Sequence, residues 1–212
     1  MIKAVLVRMV QMAGWSLCAS MALADDDICY RALQTAAQET SVPVDVLMAV
    51  TRLETGRGGE DGVAPWPWAL NIAGAGYWPP DRASALQLVS TALASGEQSI
   101  DLGCFQINWR WHGAGFDSPA ALIDPLTNAR YAARFLGDLY RETGDWTRAA
   151  GAYHSRNEVH AAPYRARFAA LREGQPAPPL RTAIRANAYP LLQTGAANGA
   201  RGSLVPLFGG AG

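Results

Sequence analysis

The residue with the clearest chemical potential is Glu54, near the end of the stretch VDVLMAVTRLETG at residues 44–56. Apolar residues recur here at helical spacing, and Thr55 and Gly56 follow the carboxylate directly, which places Glu54 in the last turn of a predicted helix. The negative end of the helix dipole, together with any burial, raises the pKa of a carboxyl group at that position. Cleavage of a glycosidic bond requires an acid that stays protonated near neutral pH. The alternative is a solvated glutamate at a fraying helix end.

A second group of chemically capable side chains lies in residues 99–113, SIDLGCFQINWRWHG. Gln106 and Asn108 offer amide donors and acceptors, and Trp109 and Trp111 offer flat aromatic surface. Amide groups beside aromatic rings suit the binding of sugars, whose apolar faces stack on such rings.

Residues 57–80, between these two stretches, show no regular periodicity. Their many glycines and prolines predict a long irregular loop, and a loop of this length in a compact domain is usually functional or disordered. The aromatic content argues against disorder. An ordered, aromatic-rich loop beside an acid favours a sugar-binding cleft, with packing onto the core as the alternative. The aromatic residues concerned are Trp66, Trp68, Tyr77 and Trp78.

The remaining periodic segments predict a mainly α domain that would position these groups. Pro43 begins the helix that carries Glu54, and Ser118 begins a short helix. The other helices are predicted over residues 25–40, 81–95, 124–144, 146–153 and 162–171. No internal repeat is apparent.

Composition and charge are those of a folded domain with a tail. Of the 212 residues, 50% are hydrophobic and 17% are charged, as in ordinary globular proteins. The formal net charge is zero and there is no basic run, so no nucleic-acid partner is expected. Residues 25–174 are predicted to form the domain, and the Pro-, Ala- and Gly-rich residues 175–212 a mostly disordered tail.

The first 24 residues have the features of a secretory signal peptide. Lys3 and Arg8 supply the positive charge, residues 9–21 are mostly apolar, and cleavage is expected after Ala24. An uncleaved membrane anchor is the alternative, although the apolar run is short. Cleavage predicts a periplasmic location.

Two cysteines, Cys29 and Cys104, remain once the leader is removed. An even number of cysteines in an exported chain predicts one disulfide between them. The alternative is two separate buried thiols.

Residues 29–171 resemble the SLT-type lytic transglycosylase domain of the lysozyme-like superfamily, and three motifs carry the resemblance. Residues 53–56, Leu-Glu-Thr-Gly, resemble its Glu-Ser catalytic motif, and residues 103–107, Gly-Cys-Phe-Gln-Ile, resemble its Gly-Leu-Met-Gln motif. Residues 152–154, Ala-Tyr-His, resemble its Ala-Tyr-Asn motif, with His in place of Asn. The resemblance implies a lysozyme-like, mainly helical fold.

The resemblance also implies a reaction on peptidoglycan glycan strands. Glu54 would protonate the glycosidic oxygen between N-acetylmuramic acid and N-acetylglucosamine, while the substrate's own N-acetyl oxygen stabilises C1. The Glu54 carboxylate would then take the proton from the muramoyl C6 hydroxyl, which closes onto C1 as a 1,6-anhydro sugar without consuming water. Tyr153 would orient or hydrogen-bond Glu54. The substrate-binding residues expected are Ser99, Gln106, Asn108, Tyr153 and His154.

Two other functions remain open at this stage. A hydrolytic muramidase on the same fold would be distinguished by its reducing-end product. Many glycosidases use a second carboxylate, for which Asp61 and Asp101 are the nearest candidates, although neither lies in a matching motif. A peptidoglycan-binding assembly factor would need no acid, and domains of this kind serve secretion or flagellar machinery. No cofactor or metal is expected, because His112, His154 and His160 do not have the spacing of a metal site.

Overall fold

The computed structural model of the protein describes residues 28–59 and 62–174. By its internal contacts the chain divides into two units, Met1–Pro178 and Pro179–Gly212, and all described residues belong to the first. The predicted leader, Asp61 and the predicted tail lie outside the described residues. No helix within the described part of the chain is long and apolar enough to cross a membrane.

Eight α-helices make up most of the described chain, so the prediction of a mainly α fold is confirmed. Three of them begin at an aspartate N-cap: the Asp81, Asp124 and Asp145 carboxylates each accept a hydrogen bond from the amide three residues on. The helices are α1 Ile28–Thr40, α2 Val44–Thr55, α3 Arg82–Ala94, α4 Trp109–His112, α5 Pro119–Leu122, α6 Pro125–Thr143, α7 Trp146–His154 and α8 Glu158–Arg172.

Residues 57–80 were predicted as one irregular loop. Four short strands lie in this segment, the first of which begins one residue earlier, at Gly56. Strands β1 (Gly56–Gly59) and β2 (Gly62–Pro65) form an antiparallel pair. A second antiparallel sheet has the order β4-β3-β5-β6. Its β3–β4 turn is Ala73-Gly74, with φ values of 51° and 89°, the two positive values of a tight hairpin. The strands of this sheet are β3 Leu70–Ile72, β4 Ala75–Tyr77, β5 Ile100–Leu102 and β6 Ile107–Asn108.

One hydrophobic core connects the helices to this sheet. Helix α1 packs against α6, α7 contacts both α6 and α8, and α2 contacts α1 and α8. Helix α2 therefore runs through the core, and its last turn comes out beside the sheet. The largest fully buried side chains include Leu33, Leu47, Phe105, Leu136 and Phe168, each of which stabilises the fold by about 2 kcal/mol.

Cys104, in the turn between β5 and β6, ties that turn to two helices. It forms a disulfide with Cys29 of α1, across a sequence separation of 75 residues. Its carbonyl accepts hydrogen bonds from Thr51 Oγ1 at 2.7 Å and from Thr55 Oγ1 at 3.0 Å. All four residues are fully buried, so the end of α2 is held against the turn in a dry environment.

A buried asparagine holds the same turn from the other side. Asn128 of α6 accepts a hydrogen bond from the Phe105 amide and donates to the carbonyls of Leu102 and Leu122. Gly103 is at φ +77°, and a Cβ there would lie 3.1 Å from the Asn128 side chain. Only glycine fits this approach without displacing Asn128, so the turn has a defined shape.

Removal of the disulfide should cost much of the protein's stability. For the double variant Cys29→Ala/Cys104→Ala we expect the free energy of unfolding to fall by about 4 kcal/mol, because a long loop is no longer closed in the unfolded chain. Urea titration measures the change. Reduced wild type should lose a similar amount, and the variant should be insensitive to reductant. A loss under about 1 kcal/mol would contradict this role.

Candidate active site

Glu54 lies in a cleft of about 430 Å³ between the second sheet and helix α7. Glu54 is the next-to-last residue of α2. It is half-buried, so part of the residue remains accessible to solvent. The β5–β6 turn and α7 supply Gln106 and Tyr153 to the same cleft. Three segments that are distant in sequence therefore meet around one carboxyl group.

The environment of Glu54 favours its protonated form. Burial raises the pKa of Glu54 from its ordinary 4.5 to about 7. The Tyr164 hydroxyl donates a hydrogen bond to Glu54 Oε1 at 2.7 Å and lowers the pKa, while Asp101 raises it and Arg167 lowers it. Desolvation is the largest of these effects. Near neutral pH the group can therefore exist both as an acid and as a carboxylate.

A row of polar side chains crosses the sheet wall of the cleft. Asn71 pairs with Asp101 and Asp101 with Asn108, so the three residues lie on one face of neighbouring strands. The Asp101 carboxylate accepts a hydrogen bond from Asn108 Nδ2 at 2.7 Å, and burial raises the pKa of Asp101. The cleft thus holds a second carboxyl group, close enough to Glu54 to influence its pKa.

Gln106 is held in an unusual backbone conformation. Its φ is +47°, in the left-handed region that few residues other than glycine adopt. Its Nε2 donates to the carbonyls of Ala69 and Gly103, both at 3.0 Å. Because both amide hydrogens are used in this way, the Gln106 side chain would meet a ligand through its carbonyl oxygen.

The hydrogen bond to Glu54 comes from a tyrosine that sequence reasoning did not select. Tyr153 lines the cleft, but its hydroxyl donates to the Phe105 carbonyl at 2.7 Å and not to Glu54. The expected hydrogen-bonding role belongs to Tyr164 of α8. A signal was available, because Tyr164 lies on an otherwise apolar buried stripe with Ala161 and Phe168, where a hydroxyl needs a partner.

Of the other three predicted binding residues, two line the cleft and one does not. Asn108 and His154 line the cleft with Glu54. Ser99 is not among the lining residues; its amide donates to Glu97 Oε1 and its carbonyl accepts from Ala73.

Among the tryptophans that the structure describes, Trp111 is the one that lines this cleft, with 73% of its surface exposed. Trp68 is buried in the core, and the Trp66 Nε1 donates to the Pro79 carbonyl at 2.8 Å. The exposed Tyr77 and Trp78 do not line the cleft. Packing, the alternative considered for the aromatic segment, therefore describes Trp66 and Trp68.

A larger groove of about 730 Å³ runs along α1 and α6. Its two carboxylates are each paired with an arginine, Glu39 with Arg130 and Asp138 with Arg141. The Arg130 hydrogen bond lowers the pKa of Glu39, which makes that group a poor proton donor near neutral pH. The smaller cleft at Glu54 is therefore the better candidate for an active site.

No family model, curated protein or solved structure matches this chain. Within residues 28–59 and 62–174, no group of three or more His, Cys, Asp or Glu side chains is placed to hold a metal ion. What the cleft can do must be argued from its own side chains.

Replacement of Glu54 should stabilise the protein at high pH. Because the folded-state pKa exceeds the unfolded one, ionisation of Glu54 removes stability as the pH rises from about 4.5 through 7. The shift of 7 − 4.5 corresponds to about 3 kcal/mol, and to about 2 kcal/mol after allowance for partial exposure. Glu54→Gln should therefore be about 2 kcal/mol more stable than wild type at pH 8 and nearly equal to it at pH 4.

Glu39→Gln provides the matched control for this measurement. The pKa of Glu39 is lowered, so its ionised form adds stability above pH 4.5 that is lost as the pH falls. Thermal unfolding at pH 8 should thus show a small decrease for Glu39→Gln and an increase for Glu54→Gln. If Glu54→Gln gained nothing at pH 8, the raised pKa of Glu54 would be refuted.

Proposed function

We propose that this protein is a periplasmic peptidoglycan lytic transglycosylase of the SLT type that its motifs resemble. The observation that carries the proposal is the position of Glu54 on the wall of an open cleft, where burial raises its pKa to about 7. The convergence of the three motifs supports it, because Glu54, Gln106 and Tyr153 all line that cleft. The raised pKa of Glu54 and the meeting of the three motifs in one cleft are both independent of the order of the motifs along the chain.

The first step is protonation of the leaving oxygen. The Tyr164 hydroxyl donates to Glu54 Oε1, which leaves Oε2 to carry the acidic proton. Transfer of this proton to the glycosidic oxygen breaks its bond to C1, and the substrate's N-acetyl oxygen stabilises the positive charge that develops there. The resulting Glu54 carboxylate keeps the Tyr164 hydrogen bond and the favourable charge of Arg167.

The second step returns the proton to Glu54. The carboxylate accepts the proton of the muramoyl C6 hydroxyl as the C6 oxygen bonds to C1, which gives the 1,6-anhydro end and restores the acid. One group must therefore donate a proton and then accept one. A pKa near the working pH suits both tasks, since each protonation state is then accessible.

The sugars would be held by the walls of the cleft. The exposed ring of Trp111 offers a flat apolar surface to a pyranose. The carbonyl oxygen of Gln106 and the amide groups of Asn71 and Asn108 offer hydrogen bonds to hydroxyl and acetamido groups. These contacts are of the kind that a neutral, amide-bearing sugar chain requires.

Digestion of purified peptidoglycan tests the proposal. The wild type should release 1,6-anhydromuropeptides, identified by mass spectrometry, with a rate that falls as the pH rises above about 7. Glu54→Gln should lower that rate by about 10²–10⁴-fold, because it cannot transfer a proton. Glu39→Gln should remain fully active. Equal activity of Glu54→Gln and wild type would contradict the assignment, and binding without cleavage by either would indicate an assembly factor.

A hydrolytic muramidase is the second candidate, and the position of Asp101 favours it. Asp101 lines the cleft with Glu54 and is close enough to raise its pKa. Hydrolysis with two carboxylates would use Glu54 as the acid and Asp101 as the base or nucleophile. Its products would end in reducing sugars.

Asp101→Asn distinguishes the two functions. For a transglycosylase we expect a loss of less than about ten-fold and a lower pH for the alkaline limit of activity, because a neighbouring negative charge no longer raises the pKa of Glu54. For a muramidase we expect a loss of more than about 10²-fold. A pH–rate profile of the variant, with the chemical form of the product, separates these outcomes.

A further inference from the structure

The imidazole of His154 lies flat against the ring that hydrogen-bonds Glu54. The rings of His154 and Tyr164 are stacked, with centroids 4.5 Å apart and planes 11° from parallel. His154 is the last residue of α7, and Tyr164 lies in the next helix, α8. The Tyr164 ring is buried, and its hydroxyl is 2.7 Å from Glu54 Oε1. A continuous line of contacts therefore runs from His154 through Tyr164 to Glu54.

We propose that His154 is a positioning residue for Glu54, because its ring fixes the plane of the Tyr164 phenol from which the hydroxyl reaches the carboxyl group. This inference rests on the proposed function only where it concerns reaction rate. A phenol can rotate about its Cα–Cβ bond, and a parallel ring at contact distance restricts that rotation. The asparagine of the motif that residues 152–154 resemble has no ring to stack. The stacked pair of rings therefore depends on the histidine that this chain has in place of the motif's asparagine.

Burial and neighbouring groups favour the neutral form of the stacked imidazole. Burial lowers the pKa of His154, and electrostatic interactions with His160 and Arg167, both on α8, lower it further. From α2 the facing ionisable group is Glu54, whose hydrogen bond is to Tyr164. At neutral pH the contact is therefore between two uncharged rings. A phenylalanine at position 154 should reproduce it.

Two variants of His154 test the role of the ring without substrate. In protein labelled at the glutamate δ-carbon, ¹³C NMR follows the titration of Glu54, with Tyr164→Phe as the reference for loss of the hydrogen bond. His154→Ala should raise the Glu54 midpoint in the same direction as Tyr164→Phe, by about half to one pH unit. His154→Phe should stay within about 0.2 units of wild type, since it keeps the stack.

Three results would overturn the proposal. One is an unchanged Glu54 midpoint in His154→Ala, and another is a His154→Phe midpoint equal to that of His154→Ala. The third is additivity: adding His154→Ala to Tyr164→Phe should change the midpoint no further if His154 acts through Tyr164. Circular dichroism verifies folding, and His154→Leu replaces His154→Ala in every comparison if that variant does not fold.

Kinetics extend the test to the reaction. On peptidoglycan, His154→Ala should lower kcat about 3- to 10-fold with little change in KM, and His154→Phe should lower kcat less than His154→Ala does. A change in KM alone would show that His154 binds substrate and does not position Glu54. If no variant cleaves peptidoglycan, wild type included, the proposed function fails while the Glu54 titration still decides the role of His154.

Discussion

The Cys104 carbonyl is the point on which the geometry of the cleft depends. It accepts hydrogen bonds from two threonines in the last two turns of α2, and the same residue is bonded covalently to α1. A helix end leaves four carbonyls without helical partners and tends to fray. Thr51 and Thr55, which flank Glu54 in sequence, hydrogen-bond that helix end to the β5–β6 turn. The carboxyl group therefore has a fixed position relative to Gln106.

This fixed position has an energetic cost. The half-buried side chain of Glu54 loses part of its hydration, and this desolvation outweighs the Tyr164 hydrogen bond and the charge of Arg167. An ordinary glutamate would be ionised at neutral pH and unable to protonate a leaving group. The structure thus gives up stability as the pH rises from about 4.5 through 7, at the carboxyl group that the proposed reaction uses as an acid.

Local sequence signals predicted the longer helices but neither the short helix Trp109–His112 nor the contacts between helices. The helix starts at residues 81 and 124 and the helix stop after Glu54 depend on residues a few positions apart, and each lies where the pattern indicates. The tyrosine that reaches Glu54 is 110 residues away, and periodicity cannot tell Tyr164 from Tyr153. The short strands were hidden for a similar reason, since three-residue strands joined by a tight turn are too short to show an alternating pattern.

The proposed reaction uses one carboxyl group and no water to cleave a glycosidic bond. Digestion of peptidoglycan in H₂¹⁸O, followed by mass spectrometry of the released muropeptides, tests whether water takes part. The new muramoyl ends should carry no ¹⁸O, because the C6 oxygen of the sugar attacks C1. One ¹⁸O at C1 of each new end, absent from a Glu54→Gln digest, would contradict the claim and assign hydrolysis with Asp101 as the second group.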